Sequence, residues 1–371
     1  MTVTKGLEGI VATTSSVSSI IDGVLTYRGY DIDDLAENAS YEEVVYLLWN
    51  GKLPNREELN GLLKDLSDNA SIPQQVVDLL RSFPKEANSM AALRSAVSAL
   101  ALFDAEAHDF DIDTNKRIAI RLQAKLPTIV AAFARIRQGL EPVAPKAGAK
   151  VAENFLYMLT GKEPDAVAIE ALDKALVLHA DHELNASTFA ARVTVATLSD
   201  MYSGVTSAIG ALRGPLHGGA NEAVMAMLED IGSMENVEAY VQDKLDKKEK
   251  IMGFGHRVYK NGDPRAKHLQ KMSRELGKLT GDMKWYEMSI QIEDIVTGQK
   301  GLKPNVDFYS ASVYTALEIP RDLFTPIFAI SRVSGWTAHI LEQYENNRLI
   351  RPRAEYVGPT NQKVGPIEQR K

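Results

Sequence analysis

The chain is 371 residues long, 45% apolar and 25% charged, with a formal charge of −7 and no cysteine. That length exceeds one simple core and suits two domains, and the composition is that of an ordinary soluble globular protein. The missing cysteines exclude disulfides, thiolate nucleophiles and Cys-ligated zinc or iron–sulfur clusters, and the acidic balance argues against a general nucleic-acid binder, which needs a basic face.

The longest uncharged run, from Gly9 to Ile21, is too short to span a bilayer and is rich in Ser and Thr. No charged segment followed by an apolar stretch opens the chain, so a cytoplasmic protein without a membrane partner is expected. Strand signals are confined to the first thirty residues, where Val17–Ile21 and Val24–Tyr27 flank the turn Asp22-Gly23. Ser40-Tyr41-Glu42-Glu43 reads as a capping box ahead of Val44, Val45, Leu47, Leu48 and Trp49, with Gly51 and Pro54 ending that helix. Further helices are predicted over Met90–Phe103, from about Asn115 to Gly139, and over Ala166–His179, Ala186–Leu212, Ala220–Ile231 and Val237–Lys247. The last three are Ala266–Leu276, Trp285–Thr297 and Phe324–Asn346. The class is therefore all-α. Gly204 to Gly219 reads as a glycine-rich loop and Glu318-Ile319-Pro320 as a second break. These suggest a large domain of 1–216 and 319–371 with a smaller one, 217–318, inserted into it and able to hinge.

Polar residues collect at a few places. Inside the smaller segment, Lys244 to Lys278 carries eleven Lys or Arg against four Asp or Glu, which reads either as a solvated helix face or as a site for a polyanionic ligand. His179 and His182 continue the apolar stripe Ile169, Leu172, Leu176 by steps of three, so both should face inward. They fit a hydrogen-bonded core pair as well as a ligand site, and as a metal site they lack a third ligand at any zinc spacing. His217 stands at a Gly-rich helix start, where the helix dipole favours neutral imidazole, a donor suited to a developing enolate. Gly253-Phe254-Gly255-His256 lacks the third glycine and the βαβ setting of a dinucleotide loop, and with Asp263-Pro264-Arg265 it looks instead like an anion-binding loop. Asp307 lies among apolar and aromatic neighbours, where burial would make it a base, although an N-V-D after proline also reads as a helix cap.

Six segments, HADHELNAS, GPLHGGANE, MGFGHRVY, GDPRAK, PNVDFYS and SRVSGW, together resemble the citrate synthase family in order and spacing, and the resemblance runs from Gly6 to Arg353. Length and opening look like the family's short form, typical of Gram-positive bacteria and archaea. The resemblance implies a two-domain helical fold and condensation of acetyl-CoA with oxaloacetate, followed by hydrolysis of citryl-CoA. It implies that Asp307 takes the proton from the acetyl methyl, that His217 stabilises the enol and that His256 polarises the ketone. It implies that His182, Arg265 and Arg332 hold the dicarboxylate, that Arg351 reaches the partner's site in a homodimer, and that no metal or other cofactor is used. With CoA as substrate the basic stretch acquires a ligand, and Lys250, Arg257, Lys260 and Lys303 are the candidates. The rivals are 2-methylcitrate synthase acting on propionyl-CoA, a non-catalytic CoA- or dicarboxylate-binding scaffold, and a His-ligated metal hydrolase; one methylene is worth only about 1–3 kcal/mol of discrimination in an apolar pocket.

Overall fold

A computed structural model describes residues 4–370, except Glu8, Arg257 and Lys260, and the backbone alone of Lys5. Two of the CoA candidates, Arg257 and Lys260, thus lie outside the described residues. The chain opens on a small antiparallel sheet of β1 (Ser18–Ile21), β2 (Val24–Tyr27) and β3 (Tyr30–Asp31), in that order. Asp22 and Gly23 both have positive φ, 53° and 81°, and pair Ile21 with Val24, the backbone of a two-residue hairpin. The third strand was not read from the sequence, because two residues carry no alternation.

Sixteen α-helices follow among the described residues. The first eight are α1 (Ile32–Asn38), α2 (Tyr41–Asn50), α3 (Arg56–Asn69), α4 (Gln74–Ser82), α5 (Ser89–Leu100), α6 (Ile112–Ile136), α7 (Val151–Thr160) and α8 (Ala166–His179). Then come α9 (Ala186–Val195), α10 (Met201–Leu212), α11 (Ala220–Ile231), α12 (Val237–Asp246), α13 (Ala266–Thr280), α14 (Lys284–Lys300), α15 (Val306–Ala316) and α16 (Phe324–Glu345). The capping box at Ser40 forms as expected: the Glu43 carboxylate accepts from the Ser40 N–H at 2.8 Å, and Gly51 closes α2 in the left-handed region at φ 76°. No helix among the described residues is long and apolar enough to cross a membrane.

Two expectations need correction. Ala186–Leu212 is two helices. The Asp200 carboxylate accepts from the Ser203 N–H at 2.9 Å and caps a new start, and Leu198 takes φ 61°, which no helix interior permits. The glycine-rich loop is also shorter than expected. Gly204 and Gly210 are helical within α10, and Gly204 lies against Val195 of α9 and Ile340 of α16, where a Cβ would overlap both. The break at 318–320 is present, with Glu318 at φ 57°.

The core is built round α16. Its residues are buried on almost every face, including Trp336 with no exposure, and it packs on α2, α6, α8, α9 and α10. Helices α11 to α15 pack largely on one another, with α13 against α15 and α12 against α14. The polar clusters fall where these two groups meet, between the end of α8, the start of α15 and the middle of α16.

Candidate active site

Five segments supply the site, and each is held for a local reason. Past α8 the chain turns at Glu183 (φ 51°), whose N–H donates to the Ser18 hydroxyl at 2.8 Å. Asp181, fully buried, is gripped by the Ser18 hydroxyl and by His339 Nε2 at 3.2 Å. Gly335 of α16 lets this loop press against the helix, since a Cβ there would overlap the Ala180 carbonyl and the Asp181 carboxylate. After α10 the chain folds back, the Gly218 N–H donating to the Leu212 carbonyl at 2.9 Å, and presents His217.

The His256 loop is stitched to the segment ahead of α15. The Gly255 N–H donates to Lys303 O at 3.0 Å, the Asn305 N–H to Gly253 O at 2.9 Å, and the Asn305 side-chain amide to Gly255 O at 2.9 Å. Gly253 has φ 83°, and a Cβ on it would lie 2.7 Å from the Phe308 ring, so glycine is required twice over. The cap of α15 is Asn305, whose side-chain oxygen accepts from the Asp307 N–H at 3.0 Å. Asp307 is therefore not spent on capping. It stands in the first turn with Oδ1 buried and without a hydrogen-bond partner among the described residues.

The hydrogen bonds settle two tautomers. The Ser187 N–H points at His217 Nε2 from 3.3 Å, so that nitrogen accepts and the proton resides on Nδ1, the free edge of the ring. In His256 it is Nδ1 that accepts, from the backbone N–H groups of Val258 at 3.0 Å and Tyr259 at 3.3 Å, which leaves the proton on Nε2. His182 Nε2 lies 3.0 Å from the Tyr259 hydroxyl, and the His182 and His256 rings are 5.3 Å apart.

Burial sets the charges. Asp307 is pushed up to about 7, mainly by desolvation, with Asp263 raising it further and Arg265 and Arg332 pulling it back. His217 is pushed down to about 4 by burial and then by the Arg332 charge. Desolvation and the Arg332 charge thus keep this histidine neutral. His182 is held well below its ordinary value by burial, Arg265, Arg332 and His256, and His256 is lowered by burial and Arg265. Three neutral histidines therefore surround two buried arginines. Arg265 is balanced by Asp263, which accepts from its Nε at 2.9 Å and Nη2 at 2.8 Å. Arg332, 1% exposed, donates Nε to the His179 carbonyl at 2.6 Å and lies over Phe328, and no carboxylate among the described residues forms an ion pair with it. Burial lowers its pKa to about 10, still charged at neutral pH.

The structure thus brings together His182, His217, His256, Arg265, Asp307 and Arg332. His179, the other inward histidine, is fully buried with Nδ1 on the Ala175 carbonyl at 2.7 Å, and its ring packs edge-on to Phe328. Lys250 and Lys303 are exposed and line separate surface cavities of about 220 and 250 Å³. Arg351 lies beyond α16 in an exposed, irregular segment. Sequence reasoning missed Tyr259, Ser187 and Trp336, whose indole N–H donates to the Ser187 hydroxyl at 3.0 Å. No periodicity marks such second partners; only Asn185, a readable helix cap two residues ahead of Ser187, hinted at an ordered turn there.

A helical protein with paired arginines, neutral histidines of fixed tautomer and one buried free carboxylate belongs to the enzymes that activate a carbon acid beside a bound anion. The comparisons agree. The family model described as citrate synthase, C-terminal domain, matches residues 6–353. The chain is 66% identical to "Citrate synthase 2" of Bacillus subtilis over the full length of both. It superposes on a citrate synthase of Pyrobaculum aerophilum with a TM-score of 0.93 at 42% identity, covering 98% of this chain and 95% of that one. It also superposes, with a TM-score of 0.93 at 37% identity over all of both chains, on the Thermoplasma acidophilum citrate synthase in ternary complex with carboxymethyl coenzyme A and oxaloacetate. The chain belongs to the citrate synthase family.

Proposed function

We propose that this protein condenses acetyl-CoA with oxaloacetate and hydrolyses the resulting citryl-CoA to citrate and CoA, the entry reaction of the tricarboxylic acid cycle. The observation that carries the reading is the coexistence, among the described residues, of Arg332, a buried guanidinium without a carboxylate partner, and Asp307, a buried carboxylate with an unpartnered oxygen. A buried unpaired cation is costly unless an anion completes it, and the oxaloacetate dianion would do so, with Arg265 and His182 beside it. The free carboxylate oxygen is then available as a base.

Each step has a group in place. Asp307 takes a proton from the acetyl methyl while His217 donates its Nδ1 hydrogen to the thioester oxygen, so a very weak carbon acid is activated from both ends. The enol carbon attacks the ketone carbon of oxaloacetate, whose oxygen receives the Nε2 hydrogen of His256. Water then adds to the thioester carbonyl, the C–S bond breaks, and CoA leaves as the thiol. Proton transfer and hydrogen bonding carry every step, so the chemistry calls for no metal or prosthetic group. Segment 217–318 would supply His217, His256, Arg265 and Asp307 and close on residues of the larger lobe, expelling water that would otherwise hydrolyse acetyl-CoA. Lys250 and Lys303, with Arg257 and Lys260, are the candidates for the CoA phosphates. A cytoplasmic homodimer in which Arg351 enters the partner's site completes the reading, and Arg351's exposure in the single chain accords with it.

The test is CoA release, followed with a thiol reagent, from acetyl-CoA and from propionyl-CoA, each with and without oxaloacetate. The cysteine-free chain contributes no thiol background. Oxaloacetate-dependent release with higher kcat/KM for acetyl-CoA is expected. A preference for propionyl-CoA would make the protein a 2-methylcitrate synthase, and no release from folded protein would leave only a binding scaffold.

A further inference from the structure

The Asp263 side chain is wholly shielded from solvent, yet it touches no group assigned above to chemistry except Arg265. Its two oxygens accept four hydrogen bonds. Oδ1 takes the backbone N–H of Arg265 at 3.1 Å and Arg265 Nε at 2.9 Å. Oδ2 takes Arg265 Nη2 at 2.8 Å and the backbone N–H of Val306 at 3.0 Å. Val306 is the first residue of α15, and Asp307 is the next. One carboxylate oxygen is therefore shared between the guanidinium expected to grip the dicarboxylate and the helix start that carries the base. By occupying the Nε and Nη2 edge, Asp263 also decides which edge of Arg265 remains for a ligand.

We infer that Asp263 is a positioning residue that couples the two halves of the reaction: it orients Arg265 for oxaloacetate and, through the Val306 N–H, sets the place of Asp307 for the acetyl methyl. The inference rests on the roles proposed above for Arg265 and Asp307. Full satisfaction of a buried carboxylate by fixed donors makes the unit stiff, and a shift of the dicarboxylate's arginine would be transmitted to the base through a single oxygen. Asp263 acts through charge as well. The groups whose fields reach Asp307 are Arg265 and Arg332, which lower its pKa, Asp263, which raises it, and Tyr314 on its own helix, a phenol that stays neutral. The neighbouring His217 and His256 are neutral too. Asp263 itself stays ionised, because Arg265 outweighs the burial that would raise it.

Three variants test this. Val306→Pro removes the N–H given to Oδ2 and sets the ring Cδ against that oxygen, so Asp263 must move away from the start of α15. Proline is well suited to the first position of a helix, and Asn305, at φ −103° and ψ −179°, already has the extended backbone a following proline requires. It should lower kcat by about tenfold, the scale of a small misplacement of a catalytic group, and, because Arg265 follows Asp263, raise the KM for oxaloacetate as well. Asp263→Asn should raise the KM for oxaloacetate by at least about tenfold, since a charge-assisted fork is lost, and should move the acid limb of the kcat–pH profile to lower pH, because the negative neighbour that raises Asp307 is gone. Asp263→Glu keeps the charge and should leave the acid limb in place while still raising that KM. A structural defect alone would not separate Asn from Glu in the pH profile. Wild-type kcat in Val306→Pro, or an unmoved acid limb in Asp263→Asn, overturns the coupling, and the first result stands even where Asp263→Asn does not fold. If Asp307→Asn is itself fully active, it is the assignment of the base that fails.

Discussion

His217 Nε2 rests on Ser187, with the serine N–H 3.3 Å away and its hydroxyl 2.8 Å away. With Nε2 accepting, the hydroxyl gives its one hydrogen to the ring and in turn receives the Trp336 indole N–H at 3.0 Å. Ser187→Ala keeps the backbone donor, and hence the tautomer, but frees the ring to rock and leaves the buried indole N–H unpaired. We expect kcat to fall by about tenfold with oxaloacetate affinity intact, and a stability loss of about 1–3 kcal/mol for the unmade hydrogen bond. Steady-state kinetics beside a thermal melt would reveal both.

Asp307→Asn preserves size and removes the base. Activity should drop by several orders of magnitude while oxaloacetate still raises the melting temperature. Near-normal turnover would remove Asp307 from its role.

The carboxylate form of Asp307 is the working form, and its pKa is raised to about 7. A raised acid pKa means that the proton stays on at pH values where an ordinary carboxyl is already ionised. The kcat/KM, which reports the ligand-free group, should therefore climb through a midpoint near pH 7 and level off above it. A flat profile from pH 5 to 8, recorded with chemistry rate-limiting, would contradict the burial of this group.

Arg332→Met removes a buried cation that has no carboxylate partner among the described residues. The stabilising effect of oxaloacetate should vanish, with affinity weakened by about a hundredfold or more, whereas the ligand-free melting temperature should hold or rise, as when buried charges give way to apolar side chains. A large drop in ligand-free stability would show instead that the Nε bond to the His179 carbonyl dominates.

Far from the site, the buried Glu42 and the partly buried Asp173 have raised pKa values, by desolvation first, with the Glu42 charge also raising Asp173 and the Glu43 charge raising both. Glu42 Oε1 accepts from the Val151 N–H at 2.9 Å, and its Oε2 has no partner among the described residues. With folded-state pKa values above the unfolded ones, the folded chain holds a proton the unfolded chain has released. Stability contributed by the pair is then complete below the ordinary carboxylate range and is lost as pH rises toward neutrality. Asp173→Asn keeps an acceptor for the Tyr41 N–H and should stabilise the protein by about 1–2 kcal/mol at pH 8 and little at pH 5. Denaturant melts at the two pH values would decide.

What the sequence determined by itself is whatever rests on local chemistry. The Asp22-Gly23 hairpin, the capping box at Ser40 and most long helices were legible because turn residues, caps and a 3.6-residue period act within a few residues of one another. The six short segments pointed to the family for the same reason: each carries its chemistry in a short string. Helices such as α1, α4 and α7 went unread because at 7, 9 and 10 residues each shows too few turns for its period to stand out. The split between α9 and α10 was missed because a run of small residues masked the Asp200 cap.

Tertiary structure alone decided the rest. That Arg332 has no carboxylate partner and Asp307 a free oxygen among the described residues, with Asn305 doing the capping, and that Asp263 joins Arg265 to α15, all depend on contacts between segments up to about 150 residues apart. Desolvation likewise belongs to a position in the packed molecule. No spacing along the chain could reveal that burial and the Arg332 charge keep His217 neutral.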